Sequence, residues 1–252
     1  HRDLHLAIRR QRQMCIRDSL LDVGGESTRP GAKPVTAELE LQRVTPVIEA
    51  LVGEVNVPIS VDTSKASVAQ DALDAGASIV NDVWGLKRDR RLATVVAAHE
   101  ATLILMHNRS NSDEARAHER LGGHYVGSDY GALVADIRRE LKESVSLACA
   151  AGIQNERIIL DPGIGFGKTV KQNRRLLNEL GNLKKLGYPL LIGPSRKSFI
   201  GYTLDLPLDD RLEGTAAAVA VGITRGADIV RVHDVRPMAR VARMTDALVR
   251  AA

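Results

Sequence analysis

Residues 157–168 read Arg-Ile-Ile-Leu-Asp-Pro-Gly-Ile-Gly-Phe-Gly-Lys, an apolar run that ends in a carboxylate and a glycine-rich loop. Seven segments of the chain share this order of apolar run, polar cluster and helical pattern. The first polar residues of the seven clusters are Asp22, Asp62, Asn81, His107, Asp161, Ser195 and Arg231. A repeat of strand, polar tip and helix is typical of a parallel α/β barrel, in which functional side chains gather at the carboxyl ends of the strands. We therefore expect these clusters to converge on one face of a barrel.

Short β-branched runs between the helical patterns predict the buried parallel strands of this barrel. They lie at residues 58–61, 78–80, 102–105, 157–160, 189–192 and 228–232. Three helical patterns end in Gly76, Gly152 or Gly226, and glycine suits the left-handed position after a helix because it has no Cβ to clash. Residues 109–129 form the one long polar insertion, which we expect to be a mobile loop over the site. The predicted fold class is α/β, a barrel of the TIM (β/α)8 type.

The number of strand–helix units and the first nineteen residues lead to two linked expectations. A barrel of this type has eight units, whereas we count seven, so we expect the first strand–helix unit to be lacking. Residues 1–19 have no strand pattern and resemble the conceptual translation of a sequencing-library adapter; the alternative is a basic arm that touches nucleic acid. We predict a non-native tail over residues 1–19 and one barrel domain over residues 20–252.

Charge and cysteine content exclude several classes of function. The chain carries 35 Lys and Arg against 31 Asp and Glu, but residues 20–252 alone carry 30 against 29, so the basic excess lies in the tail and does not argue for a nucleic-acid partner. Outside the tail the single cysteine is Cys149, which we expect on the inward side of its helix and which supports neither a disulfide nor a metal site. No apolar run approaches the ~18 residues of a membrane span. We expect a cytoplasmic protein that binds small molecules and neither nucleic acid nor membrane.

Four motifs resemble those of the dihydropteroate synthase family. They are Gly25-Glu26-Ser27-Thr28-Arg29-Pro30-Gly31, Asp161-Pro162-Gly163-Ile164-Gly165-Phe166-Gly167-Lys168, Ser195-Arg196-Lys197-Ser198 and Arg231-Val232-His233-Asp234. They occur in the family's order and are separated by whole strand–helix units. The resemblance implies a transferase of folate biosynthesis and a sulfonamide target. Such an enzyme condenses 6-hydroxymethyl-7,8-dihydropterin diphosphate with 4-aminobenzoate to give 7,8-dihydropteroate and pyrophosphate.

The resemblance also implies a cofactor and an assembly. The family uses Mg²⁺ and is usually a homodimer, for which we expect a contact at residues 236–250. The expected magnesium ligand is an asparagine in the first loop, which belongs to the unit that we expect to be lacking. We therefore name no metal-binding residue, and we expect the activity of this fragment to be impaired.

Polar residues at three strand ends suit the recognition of a pterin. This flat ring has a donor–acceptor–donor edge, and Asp62, Asn81 and Asp161 supply carboxylate acceptors and one amide of mixed polarity. The alternative for each of the three is a helix N-cap after the strand, a position that Asp and Asn favour. The family resemblance implies that these three residues and Lys197 contact the pterin.

Cationic side chains suit the binding of a diphosphate. Arg231 and His233 lie two residues apart on the predicted last strand, so that both side chains point the same way. Thr28 and Arg29 lie in a Gly/Pro-rich loop, where an arginine can hold two phosphate oxygens at once. The alternative for Arg231 is a salt bridge to a neighbouring carboxylate. Residues 161–168 lack the spacing of a nucleotide P-loop, and we expect them to form the floor of the pterin site.

The complete prediction separates catalytic from substrate-binding residues. We predict catalytic roles for Asp62, Asp161, Lys197, Arg231 and His233. We predict substrate binding by Thr28, Arg29, Pro30, Asp62, Asn81, Met106, Asp161, Phe166, Gly193, Lys197, Ser198, Arg231 and His233. Lys197 and Ser198, with Arg29 and Pro30, are expected to place the aminobenzoate, whereas His107 is expected to be structural.

Three other functions remain open at this point. One is a methyltetrahydrofolate-binding methyltransferase domain, which would have no diphosphate to hold. The second is a non-catalytic pterin-binding paralogue. The third is an aldolase-type barrel, which would need a lysine deep within a strand.

Overall fold

The computed structural model describes residues 19–29, 31–111, 115–116 and 118–250. The strands are β1 (Leu21–Gly24), β2 (Ile59–Asp62), β3 (Ile79–Asp82), β4 (Thr102–Met106), β5 (Ala115–Arg116), β6 (His124–Tyr125), β7 (Ile158–Asp161), β8 (Leu191–Ile192) and β9 (Ile229–Val230). The α-helices are α1 (Ala37–Val52), α2 (Ala66–Asp74), α3 (Arg91–Ala98), α4 (Leu133–Ala150), α5 (Val170–Asn178), α6 (Gly181–Lys184), α7 (Ser198–Leu204), α8 (Leu212–Thr224) and α9 (Val235–Val249). Apart from Ser19, the predicted tail at residues 1–19 lies outside the described residues, as does Pro30.

Parallel strands follow one another in chain order around a curved sheet. Strands β1, β2, β3, β4 and β7 pair in that order, and all four pairings are parallel. A parallel bridge from Leu160 to Leu190 connects β7 to the β8–β9 pair, which is also parallel. Among the described residues, no backbone hydrogen bond joins β9 to β1, so the ring of strands is open there. The predicted order of strand–helix units is confirmed.

Two apolar layers hold the strands in place. Inside the ring, Ile79, Ile104 and Leu191 form a buried cluster. Outside it, residues of the opposite parity, such as Val80 and Leu105, pack against the helices in the large core. Side chains alternate between the two faces of a strand, so one parity points inward on each strand. The inward parity therefore decides which residues can meet at the carboxyl end.

Helix ends follow the local chemistry of the sequence. The Thr36 hydroxyl accepts a hydrogen bond from Leu39 N at the start of α1, and Thr169 forms a reciprocal capping box with Gln172 at the start of α5. Gly76 follows α2 with a φ of +108°, and a Cβ there would lie 2.7 Å from Cγ2 of Val52. This position therefore requires glycine for both its backbone and its packing.

Two expectations need correction. Residues 109–129 were expected to form a loop without strands; the described part contains the antiparallel pair β5–β6, and buried Arg211 donates to the Leu121 carbonyl at 2.8 Å, while the mobility of this segment stays a prediction. Cys149 is exposed, not inward. It follows Ala148, which is buried, and the next residue along a helix is turned by about 100°. No helix in the part of the chain that the structure describes is long and apolar enough to span a membrane.

Candidate active site

Strand register brings the predicted polar residues together at the carboxyl end of the barrel. Asp62 on β2 is the register partner of Asn81 on β3, and Met106 on β4 is the register partner of Asp161 on β7. All four have the parity of the inward-facing residues on their strands. The same parity on β1 gives Asp22, a residue that the sequence analysis did not select. Its position two residues before the end of β1 was the signal that could have identified it.

The carboxylates of this group lie in an environment that disfavours their charged forms. Burial, together with the nearby Asp22 carboxylate, raises the pKa of Asp62 to about 8, although Arg231 opposes the shift. Burial raises the pKa of Asp161 to about 6, against the effects of its hydrogen bond with Gly163 N and of neighbouring cations. Carboxyl groups whose pKa values are raised by burial in this way are typical of functional sites.

The helix-cap alternative does not describe these residues. Helix α2 begins after Lys65, not after Asp62, and Asp161 accepts from Gly163 N at 2.7 Å within a loop. The Asn81 amide donates to Oδ2 of Asp22 at 3.1 Å. Asp82, by contrast, uses its oxygens in a local turn, where Trp84 N and Leu86 N donate to them. None of Asp62, Asn81 and Asp161 therefore caps a helix, and their side chains remain at the strand ends.

An apolar wall lies beside the polar groups. Met106 and Phe166 are buried in one cluster with Val83, and Trp84 packs against it. The Lys197 ammonium lies 4.2 Å from the centre of the Phe166 ring, a cation–π distance. Burial lowers the pKa of Lys197 to about 8, in the same direction as the repulsion from Arg231. Val83 and Trp84 were missed, although they directly follow the Asn81-Asp82 cluster in the sequence.

The cationic side of the site is built from residues after β8 and β9. Arg231 Nε donates to Asp22 Oδ2 at 2.7 Å, and Nη2 lies 3.6 Å from Asp62 Oδ2. His233 has its Nδ1 3.0 Å from the Ser195 hydroxyl. Both residues were predicted to lie on the last strand, but β9 ends at Val230, so this part of the prediction is wrong. The salt-bridge alternative for Arg231 is realised, with two carboxylates as its partners.

The remaining predicted residues lie at the rim. Gly193 follows β8, and a Cβ there would lie 3.9 Å from the Arg231 Cβ. Ser198 is half-buried at the first position of α7, and Lys197 precedes it as the N-cap residue. Thr28 is exposed and lines a small cavity with Asp62, whereas the exposed Arg29 side chain makes no contact in the described structure that joins it to the other site residues.

A partly buried ion cluster supports the loop that carries Thr28. The Lys65 ammonium donates to the carboxylates of both Glu26 and Glu40. Glu40 on α1 is buried, and Glu26 lies two residues before Thr28. This arrangement connects the loop after β1 to the start of α2.

The described residues do not supply a recognisable magnesium site. In the residues described, no group of three or more His, Cys, Asp or Glu side chains could hold a metal ion. The buried oxygen Oδ1 of Asp22 has no hydrogen-bond partner, but the other oxygen of the same carboxylate already accepts from Arg231 and Asn81. We therefore assign neither a ligand nor a catalytic step to the ion.

These features define a (β/α) barrel with a buried, carboxylate-rich pocket beside an arginine. A family model described as pterin binding enzyme matches residues 2–233. A dihydropteroate synthase from Bacillus subtilis is 50% identical over 229 residues, which are 91% of this chain and 75% of the relative. The chain belongs to the dihydropteroate synthase family of pterin binding enzymes.

Solved structures agree with this assignment. The dihydropteroate synthase of Clostridium difficile, solved in the presence of pteroic acid, is 44% identical with a TM-score of 0.89, covering 98% of this chain and 89% of that one. The Yersinia pestis enzyme, solved with a sulfonamide drug, is 36% identical with a TM-score of 0.91, covering 99% of this chain and 87% of that one. The predicted fold class and family are confirmed. The prediction of a non-native tail stays untested, since the structure describes only Ser19 of it.

Proposed function

We propose that the chain catalyses the reaction of its family, the condensation of 6-hydroxymethyl-7,8-dihydropterin diphosphate with 4-aminobenzoate. The C–O bond between the pterin methylene and the diphosphate breaks, and its electron pair leaves with pyrophosphate. The amine nitrogen of 4-aminobenzoate forms a C–N bond to the methylene and then loses a proton. The products are 7,8-dihydropteroate and pyrophosphate.

Asp62, Asn81 and Asp161 form the pterin-recognising group in this proposal. Their inward positions on β2, β3 and β7 provide two carboxyl groups and one amide at the carboxyl end of the sheet, where Asn81 and Asp161 are buried. A ring that lacks the matching N–H and C=O groups would leave these buried groups unpaired, and the cost of unpaired groups gives selectivity. Met106 and Phe166 supply the apolar contact for the faces of the ring.

Arg231 and His233 bind the diphosphate in this proposal and stabilise the charge that develops on it as the bond breaks. Support comes from the position of Arg231, whose guanidinium contacts carboxylates on β1 and β2 and so lies over the pterin-recognising group. A guanidinium about half exposed to solvent can exchange a carboxylate for phosphate oxygens. Thr28 and Arg29 add donors from the loop after β1.

Lys197 and Ser198 place the aminobenzoate, together with Arg29 and Pro30. The chain turns into α7 at these two residues, and the Lys197 ammonium is a cation that can attract the aminobenzoate carboxylate. The Yersinia pestis relative was solved with a sulfonamide drug. We expect sulfonamides to compete for the same subsite here.

Magnesium, a cytoplasmic location and a homodimer are further parts of the proposal. The family resemblance is the support for the ion, which would neutralise diphosphate charge when bound.

For the homodimer, support comes from α9, where Met244 is 60% exposed and Leu248 is 71% exposed. Sedimentation should show a dimer that Leu248→Lys weakens and that Val52→Lys, on exposed α1 surface, leaves intact. A monomeric wild-type chain would refute this contact.

One observation carries the proposal: the inward convergence of Asp62, Asn81, Asp161 and Arg231 in a chain of this family. The test is to incubate the chain with dihydropterin diphosphate, 4-aminobenzoate and Mg²⁺, and to quantify dihydropteroate and pyrophosphate. Equal amounts of both products are expected. Tight pterin binding without pyrophosphate release would favour the non-catalytic paralogue instead.

A further inference from the structure

A fully buried lysine lies beneath the glycine-rich loop after β7. Lys168 is 3% exposed, and its ammonium nitrogen lies 2.9 Å from Gly163 O, 3.0 Å from Phe166 O and 3.2 Å from His107 Nδ1. An ammonium has three N–H donors and no acceptor. The three neighbours therefore match the charged form of the side chain, whereas a neutral amine would leave one acceptor without a donor.

The loop that Lys168 contacts has a conformation that needs support. Gly163, Gly165 and Gly167 have φ values of +70°, +84° and +62°. Glycine tolerates these values, but it also loses more backbone freedom on ordering than any other residue. The loop is closely packed as well, since a Cβ on Gly163 would lie 1.9 Å from His107 O. A glycine-rich sequence of this kind is flexible on its own and holds one conformation only where its surroundings define it.

The same loop carries two of the proposed pterin contacts. Gly163 N donates to Asp161 Oδ1 at 2.7 Å, so the loop fixes the orientation of that carboxylate. Phe166 lies in the wall beside Met106. The carbonyls that Lys168 binds belong to Gly163 and Phe166, which adjoin both of these contacts.

On the side of Lys168 away from the two carbonyls, His107 lies between the lysine and the carboxylate of Glu140. Nδ1 of His107 faces the Lys168 nitrogen, and Nε2 of the same ring lies 3.3 Å from Glu140 Oε2. Glu140 in turn accepts from Lys87 at 2.7 Å and from Arg109 Nε at 2.8 Å. Burial would raise the pKa of Glu140, but hydrogen bonds with His107, Arg109 and Lys87 lower it overall. Glu140 is therefore an anion that lies beside His107.

We infer that Lys168 is a positioning residue, whose ammonium holds residues 161–168 in the conformation that presents Asp161 and Phe166 to the pterin. It does so without contacting the substrate. The inference rests on the proposed pterin site. It adds to that site a buried cation, Lys168, which is linked through His107 to Glu140 on α4.

The test uses Lys168→Met, which keeps the length of the side chain and removes its charge and donors. The matched control is Lys171→Met, on the exposed side of α5. Calorimetry with 6-hydroxymethylpterin should show at least tenfold weaker binding for Lys168→Met and less than a twofold change for Lys171→Met. If Lys168→Met does not fold, Lys168→Gln, which supplies two N–H donors for the two carbonyls, is measured in its place and should show an intermediate loss.

A second measurement reports on the loop without any ligand. Trp84 is the only tryptophan and packs against the cluster that contains Phe166. Release of the loop in Lys168→Met should increase acrylamide quenching of Trp84 at least twofold, whereas Lys171→Met should match the wild type. This measurement decides the inference even if the wild-type chain fails to bind pterin, which would refute the proposed function alone.

The pH dependence provides a third readout. Burial lowers the pKa of Lys168 to about 7, although the carboxylates of Asp161 and Glu140 oppose the shift and Arg109 and Lys197 add to it. Lys168 should therefore lose its charge as the pH rises from 6 to 9. Over this range the ratio of the wild-type pterin affinity to the Lys168→Met pterin affinity should fall. Unchanged pterin affinity and unchanged quenching in a folded Lys168→Met protein would overturn the inference.

Discussion

Nε of Arg231 lies 2.7 Å from Oδ2 of Asp22, an ion pair between the residue after β9 and the second residue of β1. The same Asp22 oxygen accepts from the Asn81 amide at 3.1 Å. The Asp22 carboxylate thus connects Arg231, which is proposed to bind the diphosphate, to Asn81, which is proposed to bind the pterin. Asp22 supplies Arg231 with a partner while no phosphate is present, which keeps a partly buried cation compensated.

Arg231→Ala should separate the two halves of the substrate. We expect the affinity for pterin diphosphate to fall about ten- to a hundredfold, since one charge-assisted contact is worth roughly 1.5–3 kcal/mol. Binding of the bare pterin should change less than threefold. Calorimetry with the two ligands measures both effects, and Arg236→Ala, an exposed cation on α9, is the control. Equal losses for the two ligands would refute the assignment of Arg231 to the diphosphate.

Asp161→Ala should abolish measurable pterin binding. The change removes a buried acceptor and leaves ring donors unpaired, and it also removes the acceptor for Gly163 N. We expect the affinity to drop more than about a hundredfold, from two lost charge-assisted contacts. Asp71→Ala, an exposed carboxylate on α2, should bind like the wild type. Retained pterin affinity in Asp161→Ala would place the ring elsewhere.

Asp62→Asn should make the protein more stable than the wild type at pH 8. At pH 5 this gain in stability should be smaller. Burial raises the pKa of Asp62 from its ordinary value near 3.8 to about 8. Between these values the folded state holds a proton that the unfolded state has lost, so wild-type stability falls as the pH rises through this window. The asparagine removes this cost. We expect the advantage in Tm of the variant to grow by several degrees from pH 5 to pH 8, with about 2–4 °C for each kcal/mol. Asp71→Asn should show no such growth.

Gly163→Ala should destabilise the fold far more than Gly187→Ala. Both residues have positive φ, +70° and +89°, so both substitutions carry the same backbone penalty of about 1–2 kcal/mol. A Cβ at Gly187 meets nothing within 4 Å, but at Gly163 it would lie 1.9 Å from His107 O. We expect an additional loss of about 1–3 kcal/mol from overpacking, measured by urea unfolding. Equal losses for the two variants would show that the loop relaxes without cost.

The sequence by itself determined the order of the strands and which polar residues stand at their carboxyl ends. Alternation along a strand is a local property, so the end of each apolar run already marks which residues can reach the site. Asp62, Asn81 and Asp161 were found in this way, and glycine after α2 was predicted from its backbone freedom alone.

Tertiary structure decided which of these groups contact one another. The pairing of Arg231 with Asp22 joins residues about two hundred positions apart, and no local pattern contains it. Lys168 ends a glycine-rich motif that was expected to form the floor of the pterin site, and only the structure shows that its ammonium is buried between two loop carbonyls and His107, which follows β4. Cys149 was misplaced for the related reason that the packing of α4 buries the neighbouring Ala148 and leaves Cys149 exposed. Contacts of this kind depend on how elements pack in three dimensions, and this packing is set by the whole fold rather than by any one segment.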